Sequence, residues 1–257
     1  NNEAIYAKPP RLNRPLNNGV AHVSEDHSAA ALQTLRYELE TFVCDGEYAT
    51  GLEKILRSYL DNINRPAQPG IWVSGFYGSG KSHLVKMLRA LWVDSRFPED
   101  GATARGLVKL PNRVSDLLHE FSTAAKRASG THAASGTLGA GAGESVRLAL
   151  LSIAFSSLGL SAQYHLARFE LWLRQRGVLD AVREAITAQG ASWDKELGLL
   201  FVSSRLHKAV CDALPDVAPN PAEVAKALRA QFPQKTDISN DELVDAISEA
   251  LKPPGTS

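Results

Sequence analysis

Cysteine is scarce: the chain of 257 residues holds two, Cys44 and Cys211, far apart and without partners at metal-ligand spacing. That argues against a disulfide framework or a zinc site and points to a reducing, cytoplasmic setting. No apolar run reaches membrane-spanning length, and no N-terminal stretch has the layout of a signal peptide. An excess of one charge is missing too, since 28 basic and 28 acidic residues cancel. The chain therefore has no global attraction for nucleic acid or membrane. A small basic cluster, Lys8, Arg11 and Arg14, reads as a solvated arm, with a contact to DNA or to a neighbouring subunit as the alternative. His22, His27, His119, His132, His165 and His207 show no ligand spacing. No internal repeat occurs at solenoid periods.

What remains is an ordinary globular composition, 44% hydrophobic and 22% charged, enough for one large domain or two modest ones. Residues 1–23 are irregular and rich in proline. Leu32, Leu35, Leu39 and Phe42 then repeat at helical spacing. A second helix is expected from Thr50, with Glu53 completing a capping box, and an apolar stripe of Leu52, Ile55, Leu56, Tyr59, Leu60 and Ile63. The turn 64–70 stops it. Ile71-Trp72-Val73-Ser74 reads as a short buried strand with Trp72 in the core, and Leu84, Val85, Leu88, Leu91 and Trp92 form the next helical stripe. Further on, Pro111 is expected to start a helix and 131–138 to form a strand. Gly139–Gly143 reads as a mobile connector, with a second anion-binding loop as the alternative. Beyond it only helices are expected: 144–158, 162–176, 178–189, 201–213, 221–232 and 240–251, the last two opened by Asn220-Pro221 and Ser239…Glu242.

Between the expected strand and helix lies Gly75-Phe76-Tyr77-Gly78-Ser79-Gly80-Lys81-Ser82, the spacing of a phosphate-binding loop. Gly75, Gly78 and Gly80 let the backbone bend and turn N–H groups inward. The helix starting at Lys81 adds unpaired donors and the positive end of its dipole. Lys81 is placed for the β- and γ-phosphates, and the Ser82 hydroxyl for Mg²⁺. The candidate ligands of a nucleoside triphosphate, ATP with Mg²⁺, are thus Gly75, Phe76, Tyr77, Gly78, Ser79, Gly80, Lys81, Ser82 and His83. Of these, Phe76 and Tyr77 are read as packing or covering groups, and His83 as a packing or surface residue. The competing reading is a flexible surface loop ahead of a helix. Chance gives this spacing in roughly one chain in a hundred of such length, and the flanking strand and helix patterns reduce that several-fold. No Asn-Lys-x-Asp motif for guanine is present.

Hydrolysis also needs an acidic residue at the end of a second strand. Leu91-Trp-Val-Asp94 reads as the exit of the loop's own helix. Val178-Leu-Asp180 and Leu243-Val-Asp245 sit in helical patterns, and Leu199–Val202 runs into Ser203. No catalytic carboxylate can be named.

The stretch from Arg14 to Val93, above all Trp72-Val-Ser-Gly-Phe-Tyr-Gly-Ser-Gly-Lys-Ser-His83, resembles the large P-loop ATPases of bacterial phage-defence systems, the BREX and Pgl type (BrxC/PglY-like). Leu148–Leu160 and Phe169–Leu173 are similar as well. The resemblance implies a long cytoplasmic protein with an AAA+-like ATPase module near its N-terminus. It implies partners that include a DNA methyltransferase, and ring or dimer assembly. Gly75, Gly80, Lys81 and Ser82 carry over as nucleotide ligands; the acidic strand does not. By analogy Gly19–Val23 would line the adenine. The expected fold is α/β, a three-layer P-loop core in 1–143 with a helical insertion or lid in 144–257. The chain starts at Asn1 and ends in a linker-like Lys252–Ser257, so the native polypeptide is expected to continue.

Overall fold

The computed structural model describes residues 28–65, 68–128, 130–138, 145–216 and 220–252. The chain divides into two compact units, Asn1–Thr137 and Leu138–Ser257. Every regular element among the described residues is helical, and the β-bridge between Arg96 and Thr103 is isolated.

The first unit contains α1 (Ala29–Thr41), α2 (Gly46–Asn62), α3 (Lys81–Val93), the single turn α4 (Ala104–Leu107) and α5 (Asn112–Arg127). Leu39 of α1, Leu52 and Leu56 of α2, Met87 and Leu91 of α3 and Leu118 of α5 bury one apolar face each into a common core. Phe97 closes it from the loop after α3. Tyr59, Trp92 and Phe121 meet edge-on or tilted at its edge, with ring centroids 4.6 Å apart for Tyr59–Trp92 and 4.1 Å for Trp92–Phe121. Asp94 ends α3 in a left-handed conformation, φ 49°.

The second unit runs α6 (Val146–Ser157), α7 (Tyr164–Gln175), α8 (Leu179–Ala188), α9 (Trp193–Gly198), α10 (Ser204–Ala213), α11 (Pro221–Gln231) and α12 (Asn240–Leu251). Helix α7 is apolar on two sides. Leu166, Phe169 and Leu173 join the cluster of α8, α10 and α11, while Ala167 and Leu171 join that of α6 and α12. Its buried Glu170 accepts from Arg183 at 2.7 Å, from Trp193 Nε1 at 3.0 Å and from the Ser161 N–H at 2.6 Å, so the charge is fully compensated.

The expected α/β three-layer core is therefore corrected. Ile71–Ser74 and 131–138 are both irregular and pair with no strand among the described residues. Trp72, expected in the core, is 90% exposed. A strand needs a neighbour to take its N–H and C=O groups. The helices meanwhile bury apolar faces against one another and build the cores without a sheet among the described residues. The expected capping box at Thr50 is corrected as well. Helix α2 starts earlier, at Gly46, and the Thr50 hydroxyl inside it donates to the Gly46 carbonyl at 3.0 Å. At Ser239 the capping box forms in full, and Asn220 caps α11. Gly19–Val23, the basic cluster at 8–14 and Gly139–Gly143 lie outside the described residues.

Candidate functional site

The sequence places three glycines in the Gly75–Ser82 loop, and two take the left-handed conformation that favours glycine. Gly78 has φ 79° and Gly80 φ 80°. The turn is closed by the Ser79 N–H donating to the Phe76 carbonyl at 3.2 Å. At Gly75 the constraint is weaker: a Cβ there would come within 2.9 Å of Ser79 Oγ, the end of an exposed side chain that can turn away. Helix α3 then starts at Lys81 with Gly80 as its N-cap, so no capping side chain covers the first turn's N–H groups. Lys81 folds back over the loop. Its Nζ donates to the carbonyls of Gly75 at 2.9 Å and Phe76 at 2.7 Å and approaches Ser79 Oγ at 3.4 Å. Ser82, one residue on, is exposed on the first turn of α3.

The nine candidate residues separate into two groups. Gly75 to Ser82 form one exposed turn and helix start, with Phe76 90% and Tyr77 93% exposed, so neither ring packs in the core. His83 points the other way, buried under α3 with its ring 5.6 Å from that of Phe42. Burial pushes its pKa down, Lys86 acts in the same sense, and Glu38 opposes them. Lys86 Nζ stands 2.6 Å from Glu38 Oε2, an ion pair whose angles fall outside hydrogen-bond geometry. His83 thus anchors the helix from its buried side.

One residue at the site escaped the sequence pattern. Tyr48, in the first turn of α2, donates from its hydroxyl to the Ser79 carbonyl at 3.0 Å. Its ring meets Phe42 edge-on, with centroids 6.0 Å apart. Nothing at that spacing belongs to the loop motif, so only the fold brings it in.

A phosphate group fits this arrangement. Two left-handed glycines shape the turn, an ammonium group lies on it, and an uncapped thirteen-residue helix starts from it. The acidic partner for Mg²⁺ is not supplied by any cluster of three or more His, Cys, Asp or Glu among the described residues. No family model matches the chain, and no solved structure matches it. No helix among the described residues is long and apolar enough to cross a membrane.

Proposed function

We propose that Gly75–Ser82 binds the phosphate chain of ATP with Mg²⁺, and that the chain is the N-terminal nucleotide-binding module of a large bacterial anti-phage ATPase. The observation that carries the binding is the junction itself: left-handed Gly78 and Gly80 feeding the uncapped start of α3, with the Lys81 amine folded over the same turn. The likeness of the motif's surroundings to phage-defence ATPases supports the second half, a cytoplasmic setting and partners such as a DNA methyltransferase. In this assignment the N–H groups of the turn and of α3 hold phosphate oxygens, Lys81 leaves its carbonyl partners for a phosphate, and Ser82 offers its hydroxyl to the metal. Mg²⁺ supplies charge neutralisation of the phosphates when bound.

A second reading is an assembly or scaffold module that binds nucleotide and hydrolyses it slowly or not at all. It is favoured by the lack, among the described residues, of a sheet carrying a carboxylate at a strand end.

Calorimetric titration with MgATP, beside Lys81→Ala and a MgGTP control, tests the proposal. Saturable MgATP binding is expected, weakened at least tenfold in Lys81→Ala because a charge-assisted contact contributes about 1.5–3 kcal/mol. MgATP binding that Lys81→Ala leaves intact, or no binding at all, would contradict it.

A further inference from the structure

We infer that Tyr48 is a positioning residue for the phosphate loop: its hydroxyl, held on α2, fixes the orientation of the Ser79–Gly80 peptide and so aims the Gly80 N–H. The inference rests on the reading that this loop receives a phosphate chain. Its geometry stands on four observations. The Tyr48 hydroxyl donates to the Ser79 carbonyl at 3.0 Å, across 31 residues of sequence. The described chain holds no cis peptide bond, so the Ser79 C=O and the Gly80 N–H point in opposite directions within their shared plane. Fixing the carbonyl toward α2 therefore turns the Gly80 N–H away from α2. Gly80 sits at φ 80° and has no Cβ, so flipping this peptide meets little steric resistance and a specific holder is needed. Finally, the Tyr48 ring is itself seated edge-on against Phe42, which is buried and contacts His83 of α3. The hydroxyl is thus carried by packing that joins α1's end, α2 and α3.

In a phosphate loop the useful donors are those whose N–H groups converge. A peptide that flips replaces a donor by a carbonyl oxygen, which repels a phosphate. Tyr48 suppresses that state in advance, and the gain appears in anion affinity more than in fold stability.

The test is calorimetric titration of the whole chain with MgATP in the wild type, Tyr48→Phe and Phe42→Leu, with thermal unfolding of each. Tyr48→Phe keeps the ring and loses only the hydroxyl. The dissociation constant is expected to rise about fivefold, the worth of one hydrogen bond, with the ligand-free unfolding midpoint little changed. Phe42→Leu keeps the hydroxyl and loosens the core. It is expected to lower the midpoint more than Tyr48→Phe does and to weaken MgATP less. Wild-type affinity in Tyr48→Phe would overturn the inference and leave the nucleotide reading standing. Affinity falling in both variants in step with their unfolding midpoints would overturn it in favour of a purely structural role. A wild type that binds no MgATP would remove the nucleotide reading and the inference with it.

Discussion

His83 follows the Gly75–Ser82 loop directly, yet its ring is buried below α3 against Phe42 and serves as an anchor. Its folded pKa lies below the ordinary histidine value because burial, reinforced by Lys86, outweighs the pull of Glu38. The unfolded chain therefore takes up a proton at higher pH than the folded one. The sign follows: the stabilising contribution is complete above the unfolded value of about 6.5 and is lost as pH falls toward the folded value. Urea unfolding at pH 7.5 and 5.5 is expected to show a smaller loss of stability on acidification in His83→Gln than in the wild type. Some loss persists in the variant, since burial lowers His165 as well. An equal loss in both proteins would contradict this account. The motif's spacing made Gly75 to Ser82 legible as a unit, because each residue type has a local mechanical reason to be there. It gave no hint of Tyr48, whose role depends on a contact 31 residues away.

Among the elements, α3 is held at both ends by groups outside it. Its start is the Gly75–Ser82 turn, with Gly80 as N-cap. Its last carbonyls are taken by Arg105 of α4, whose Nε donates to the Leu91 oxygen at 2.7 Å and whose Nη2 donates to that of Trp92 at 3.2 Å. The same guanidinium reaches α5 through the Leu118 carbonyl at 3.0 Å and Ser122 Oγ at 2.5 Å. A planar fork with five donors serves these acceptors in a way an ammonium cannot. Arg105→Met is expected to destabilise the first unit by about 3 kcal/mol, and Arg105→Lys to recover less than half of that, in urea unfolding followed by tryptophan fluorescence. Full recovery by lysine would show that charge alone matters there. Helices were the readable part of this chain, because a 3.6-residue apolar period over several turns has few competing explanations; α3, α5, α11 and α12 follow their stripes and starts. Local signals without that period were weaker. Thr50 and Glu53 match a capping box, but the helix continues upstream of them to Gly46, where Tyr48 and Ala49 extend the packed face.

For the whole molecule, the misreading was the sheet. A phosphate loop usually implies a strand before it, and Ile71–Ser74 has strand-forming residues. Four residues cannot specify a sheet without a partner to complete their hydrogen bonds. The described residues form two helical units whose apolar clusters share no residue. The loop is instead carried by helices: α3 issues from it, and α2 reaches it through Tyr48. Ile71, Trp72 and Val73, the run before it, stay in contact with solvent.

Whether that helix-borne loop holds a nucleotide is best read by amide hydrogen exchange of the whole chain with and without saturating MgATP. The account predicts slowed exchange concentrated in peptides covering residues 75–84, absent in Lys81→Ala. Protection elsewhere with none over that loop, or no protection at all, would contradict it.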